Sequence, residues 1–82
     1  MSHLIRQKVT VRCDSHGRPL SFRWQNLSRE IQEILDSWLE TGSWWRNEAP
    51  KAFFQVRTAF ADRYTLYREL PGGDWYLYQV ED

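Results

Sequence analysis

Cysteine is almost missing from this chain. Cys13 stands alone, so no disulfide can form within it, and a reducing, cytoplasmic setting is the simplest expectation. Net charge is missing as well. Eleven basic residues balance eleven acidic ones, so the net basic signature of a dedicated double-stranded nucleic-acid binder is absent. No apolar run approaches the roughly 18 residues that a membrane span requires, so no membrane association is expected. The opening MSHLIRQKVTV lacks the apolar stretch of a secretory signal. Four glycines and three prolines punctuate the chain sparsely, with no repeat, linker or low-complexity tract. Residues 1–82 read as a single domain.

Catalytic chemistry is equally short of material. His3 and His16 are the only histidines. Cys13 and His16 have a Cys-x-x-His spacing that could supply two metal ligands, but a structural zinc site needs four and no second Cys/His pair exists. A nucleophilic Cys13 would require a base and an orienting group, and the turn around His16 aims that imidazole into water. Glu30, Glu33, Asp36 and Glu40 resemble a solvated face more than an acid/base pair, which needs a cleft to separate two pKa values. Gly72-Gly73 sits in a hairpin turn and not between a strand and a helix, so it forms no phosphate loop. The expectation is a protein that is not an enzyme and holds neither metal nor cofactor.

What the chain does hold is aromatic: five Trp, four Tyr and four Phe make up 16% of it. A domain this short hides only about 60% of the surface its unfolded chain exposes, so its core must be built from large side chains. Alternation marks the first strands. Val9 and Val11 take one face of Ile5–Cys13, with Lys8, Thr10 and Arg12 on the other. After the turn Asp14–Pro19, Leu20, Phe22 and Trp24 share a face opposite Ser21, Arg23 and Gln25. These two strands would form a hairpin.

Residues 28–40 are ambiguous. Ile31, Ile34, Leu35, Trp38 and Leu39 fall at helical spacing with acidic and polar residues between them, whereas as a strand the alternation is poor. Beyond Gly42, Trp44 and Trp45 cannot both point inward from one strand. The final third reads as a meander: Phe53–Thr58, Tyr64–Arg68, the turn Pro71–Asp74, and Trp75–Val80. In that last segment Trp75 and Leu77 take one face while Tyr76, Tyr78 and Val80 take the other.

Charge is unevenly placed. In residues 1–25, Arg6, Lys8, Arg12, Arg18 and Arg23 face Asp14 alone; in residues 26–50, Glu30, Glu33, Asp36, Glu40 and Glu48 face Arg29 and Arg46. Adjacent strands of opposite charge would pair well, so strands of residues 1–25 are expected to pair with strands of residues 26–50; the alternative is a surface with two charged poles. Trp, Tyr and Arg dominate binding hot spots, and the residues singled out for binding are Trp44, Trp45, Arg46, Tyr67, Arg68, Trp75, Tyr76 and Tyr78.

Several landmarks occur in order along nearly the whole chain: Val9-Thr10-Val11, Pro19–Trp24, Ile31–Trp38, Thr41-Gly42-Ser43-Trp44-Trp45-Arg46, Phe54-Gln55-Val56, Tyr64–Arg68, and Trp75-Tyr76-Leu77 before Val80-Glu81-Asp82. In these the chain resembles a family of small uncharacterised bacterial domains, often encoded beside the catalytically degenerate Y-family polymerase homologue of damage-induced mutagenesis cassettes. The resemblance implies a strand over Ser28–Leu35 and carries no catalytic residues. The fold expected is mostly β: a small antiparallel barrel or curled meander sheet of about five to six strands. The alternative is an α+β fold with one amphipathic helix at 28–40. The function expected is a small interaction module, accessory to DNA repair or translesion synthesis, that docks a protein partner such as the polymerase homologue through an aromatic patch. The alternative is weak single-stranded nucleic-acid binding by a small barrel, which requires Arg12, Arg23, Arg57 and Arg68 to converge on one face. An open strand edge would serve a homodimer as readily as a foreign partner.

Overall fold

A computed structural model of the chain describes residues 2–42, 45 and 47–81. Six strands run in order: β1 (Ser2–Cys13), β2 (Pro19–Trp24), β3 (Leu27–Glu40), β4 (Lys51–Thr58), β5 (Arg63–Glu69) and β6 (Trp75–Glu81). Each pairs antiparallel with the next, and β6 returns to β1, closing a barrel. The mostly β barrel expected from the sequence is what forms. Among the described residues there is no α-helix, so the helical alternative at 28–40 is set aside.

The reason residues 28–40 look helical lies in their register. Ile31 stands opposite Thr58 and Ile34 opposite Val56. Thr58 and Val56 are two residues apart on β4 and both buried, yet their partners on β3 are three apart. Register shifts between Ile31 and Glu33 and again between Ile34 and Asp36 account for the difference. Each bulge adds a residue to one strand of the pair, so inward positions recur every third residue and imitate one face of a helix.

The core lies inside the barrel. It consists of Val9, Phe22, Val56, Tyr64, Leu66, Trp75, Leu77 and Val80, with Phe54, Ile31, Ile34 and Trp24 packed against it. Phe22 meets Tyr64 edge-on at 5.1 Å between centroids, an arrangement that suits the ring quadrupoles. Val80 corrects the sequence reading. It was expected beside Tyr76 and Tyr78, but Leu66 pairs with Leu77 while Thr65 pairs with Gln79. Tyr78 is therefore the extra residue of a bulge, and Val80, opposite the buried Tyr64, turns inward.

Tight turns hold the strands in place. Asp14 accepts hydrogen bonds on Oδ1 from the backbone N–H groups of His16 (2.8 Å) and Arg18 (2.9 Å), and these bonds, Arg18 first, hold its carboxyl below the ordinary carboxylate range. Gln25 and Asn26 connect β2 to β3 with φ of 53° and 61°, the two-residue turn whose twist matches that of a hairpin. Between β4 and β5, Thr58 N–H donates to Asp62 O and Ala61 N–H to Thr58 O, both at 3.0 Å, with Ala61 at φ 67°. Beyond β3 the chain folds back so closely that a methyl group on Gly42 would run into the Glu48 carbonyl.

The basic and acidic segments do pair, β2 against β3 over Leu27–Glu30, but the ion pairs seen among the described residues have other partners. Glu33 accepts from Arg57 of β4 at 2.8 Å, and Lys8 pairs with Asp74 in the β5–β6 turn at 3.3 Å. No helix among the described residues is long and apolar enough to cross a membrane.

Candidate recognition surface

The two faces of the β4–β5–β6 wall carry different aromatics. Phe54, Tyr64 and Trp75 turn toward the core. On the opposite face the strand register lines up one ring per strand: Trp38 opposite Phe53, Phe53 opposite Tyr67, and Tyr67 opposite Tyr76. Directly opposed side chains share a face and touch, and these form a continuous row from β3 to β6. Trp38 and Phe53 stack at 5.3 Å with their planes 4° apart. Phe53 and Tyr67 lie at 5.2 Å and 32°, and Tyr67 and Tyr76 stack at 5.0 Å and 16°. Tyr78 stands edge-on to both Phe53 (5.5 Å, 88°) and Tyr67 (6.0 Å, 75°). Phe53 is consequently only 5% exposed although it points away from the core, whereas Trp38 keeps 39% of its surface in solvent.

Arg6 completes this arrangement from β1. The β1–β6 register shifts between Leu4 and Gln7, and Arg6 adopts φ 55° there, a left-handed conformation that costs an ordinary residue about 1–2 kcal/mol. The bulge re-aims its side chain, placing the guanidinium 5.9 Å from the Tyr78 ring centre in cation–π range. An open groove of about 300 Å³ results, lined by Phe53, Tyr67 and Tyr78 with Arg6, Lys51 and Glu40 around them. Two tyrosine hydroxyls of the row, those of Tyr67 and Tyr76, stay protonated beyond the ordinary tyrosine range. Burial pushes the Tyr67 hydroxyl up, helped by the nearby Glu69 carboxylate. Tyr76 is raised mainly by its hydrogen bond with Glu69. Both therefore act as hydrogen-bond donors at neutral pH.

The residues singled out from sequence divide three ways. Tyr67, Tyr76 and Tyr78 come together in this cluster. Trp75 and Arg68 do not. Trp75 is a core residue, 7% exposed. Arg68 lies across it at 5.8 Å and donates from Nε to the Gly73 carbonyl at 3.2 Å. Both positions follow from strand parity: Tyr64, Leu66 and Arg68 alternate inward on β5, and Trp75 faces Arg68 across the register. Trp45 is described and 68% exposed. Trp44 and Arg46 lie outside the described residues. Sequence reasoning missed Trp38, Phe53 and Arg6. Trp38 and Phe53 were read by local pattern, and only long-range register joins them; Arg6 enters through a bulge that no local pattern announces.

The convergence of arginines required for a nucleic-acid face does not occur. Arg12 and Arg23 sit on the β1–β2 hairpin beside an open groove of about 270 Å³. Arg57, on β4 across the closed barrel, is engaged by Glu33, and Arg68 is engaged at the β5–β6 turn. A separate polar cluster gathers around Arg29 near the start of β3. There Arg29 donates from Nε to the Tyr64 hydroxyl (3.1 Å) and from Nη1 to the Trp24 carbonyl (3.2 Å), with its guanidinium 5.1 Å from the Trp24 ring centre. This cluster is structural: it ties the start of β3 to the core. Among the described residues no group of three or more His, Cys, Asp or Glu side chains could hold a metal ion.

No curated protein and no solved structure matches the chain. A family model does, over residues 1–82, and by that match the chain belongs to the family described as Domain of unknown function (DUF6504).

Proposed function

We propose that this domain is a non-enzymatic, cytoplasmic interaction module that docks a protein partner on the aromatic row of β3–β6. The observation that supports the reading is the row itself, Trp38–Phe53–Tyr67–Tyr76 with Tyr78 edge-on. Tyr and Trp anchors beside an Arg are the composition of a binding hot spot, and an open groove lies over Phe53, Tyr67 and Tyr78 of the cluster. A protein suits this surface better than a single-stranded nucleic acid for two reasons. The rings stack on each other, so much of the ring face a base would need is already taken, while ring edges and Tyr hydroxyls favour carbonyl and carboxylate acceptors. The charges at the groove are mixed, Arg6 and Lys51 against Glu40, and offer no track for a phosphate backbone.

The resemblance noted in the sequence suggests the Y-family polymerase homologue of mutagenesis cassettes as partner, and a role accessory to DNA repair follows from that suggestion alone. Calorimetric titration of the domain with that homologue tests the reading. Tyr76→Ala and Tyr78→Ala are expected to weaken binding at least tenfold while the proteins remain folded. Unchanged affinity in both variants refutes the row as the contact. A parallel titration with a short single-stranded oligonucleotide, followed by Trp fluorescence at low and moderate salt, is expected to show no change. Saturable quenching that weakens with salt would put the nucleic-acid reading first.

A further inference from the structure

The charges around the aromatic row answer one another, with one exception. Glu40 stands directly opposite Lys51 across β3 and β4, and Lys51 directly opposite Glu69 across β4 and β5. Opposed side chains share a face, so one lysine sits between two carboxylates. Glu69 is also hydrogen-bonded to the Tyr76 hydroxyl. At the far end of the row Lys8, opposite Tyr76, is held by Asp74 at 3.3 Å. Arg6 is the exception. Among the described residues it has no carboxylate partner, and its guanidinium meets the ring of Tyr78.

Two departures from regular pairing coincide at that contact. Ile5 and Arg6 of β1 together face the single residue Tyr78 of β6, between the pairs Leu4–Gln79 and Gln7–Leu77. Tyr78 is in turn unmatched on β5, where Thr65 opposes Gln79 and Leu66 opposes Leu77. Arg6 takes φ 55°, a backbone region that an arginine seldom occupies. A bulge re-aims a side chain, and these two turn a cation and a ring onto the groove over Phe53 and Tyr67. The hydroxyls of Tyr67 and Tyr78 have no hydrogen-bond partner among the described residues. The Arg6 charge and the Tyr78 hydroxyl both act on the Tyr67 hydroxyl, so the three groups gather around one spot.

That set suits one carboxylate. The guanidinium fork matches its two oxygens, a phenol can donate one bond more, and the neighbouring rings give an apolar side chain a place to rest. A nucleic acid presents a phosphate at every nucleotide, and a single unanswered cation cannot follow such a series. A C-terminal carboxylate is captured by clustered backbone N–H groups, whereas the backbone of β4 to β6 is committed to strand pairing. An acidic side chain is left.

We propose that Arg6 makes this groove select an acidic side chain of the partner, aspartate or glutamate, carried next to an apolar residue. The inference rests on the aromatic row being the docking face.

Nuclear magnetic resonance titration of the full chain tests it, following the Arg6 side-chain N–H and the rings of Tyr67 and Tyr78. The probe is the capped peptide Ala-Leu-Glu-Leu-Ala, and the control is the same peptide with glutamine in place of glutamate. The glutamate peptide is expected to shift these resonances and to bind roughly threefold more tightly than the control, the contribution of one exposed ion pair. Arg6→Gln is expected to equalise the two peptides, and Arg6→Lys to keep part of the preference. Four results overturn the inference: no shift with either peptide at millimolar concentration, equal affinity for both, a preference that survives Arg6→Gln, or the same resonances shifting at lower concentration with a four-thymidine oligonucleotide. The last would make phosphate the occupant. The row itself is judged separately, by the Tyr76→Ala and Tyr78→Ala titrations with the polymerase homologue. Lost binding there with no glutamate preference here sinks the role of Arg6 and leaves the docking face standing.

Discussion

Replacing Phe53 with alanine should reveal how much stability lies outside the barrel's core. The side chain points away from the core, yet it is 5% exposed and within 5.2–5.5 Å, centroid to centroid, of Trp38, Tyr67 and Tyr78. Truncating a buried Phe costs about 3–5 kcal/mol through lost transfer energy and the cavity left behind. The low end applies here, because Trp38 and the tyrosines reach solvent and can settle into the gap. A loss of about 3 kcal/mol lowers the melting midpoint by roughly 12–24 °C for a domain of this size. Phe53→Leu keeps most of the volume and forfeits the ring pairing, for a smaller loss of about 1–2 kcal/mol. Urea denaturation followed by Trp fluorescence measures both, since Trp38 stacks directly on the substituted ring. A loss under about 1 kcal/mol for Phe53→Ala would refute the reasoning, because the outer row would then be a solvated decoration and not a packed layer.

The β2–β3 turn places Gln25 and Asn26 at positive φ, so replacing them with Asn-Gly, the residues this turn favours, should stabilise by about 1 kcal/mol in a thermal melt. Gly42→Ala should destabilise, because its methyl meets the Glu48 carbonyl, a backbone group that cannot swing aside; a lowered denaturation midpoint is the check. Asp14 has its folded pKa lowered, so its contribution to stability is present above the unfolded value of 3.8 and is lost as the pH falls through the folded value; Asp14→Asn should flatten that acid limb of a stability–pH profile. Glu69→Gln should bring the Tyr76 hydroxyl back toward the ordinary value of 10.0, read by ultraviolet titration of the tyrosinates.

Legibility in the sequence followed the range of the interactions. Val9 and Phe22 were readable as inward because alternation on β1 and β2 reports burial locally, although Leu20, on the same expected face as Phe22, is 45% exposed. The strand at 28–40 was readable only against its own periodicity, since two bulges convert a two-residue repeat into a three-residue one. Val80 was misplaced for the same reason, as one bulge at Tyr78 reverses every inference past it. In the candidate surface, composition pointed to Tyr67, Tyr76 and Tyr78 because tyrosines alternate with interior residues on β5 and β6. Composition could not separate Trp75, an equally aromatic residue one position away, from the outer row. Trp38 and Phe53 depend on which residue of β3 opposes which residue of β4, and that register is set by bulges and turns far from either ring.

The two-sided aromatic wall changes how the fold keeps its strands aligned. In an ordinary sheet a one-residue slip carries greasy side chains into water, and that penalty alone enforces alignment. Along β4, Phe53 and Phe54 occupy opposite faces, as do Trp75 and Tyr76 on β6. A slip there exchanges one aromatic for another and meets little resistance from solvent. Alignment then rests on fixed backbone landmarks: the Thr58–Asp62 turn, and the bulges at Arg6 and Tyr78. Damage to these few points would release misaligned, still aromatic strands, and such strands are prone to pair between molecules.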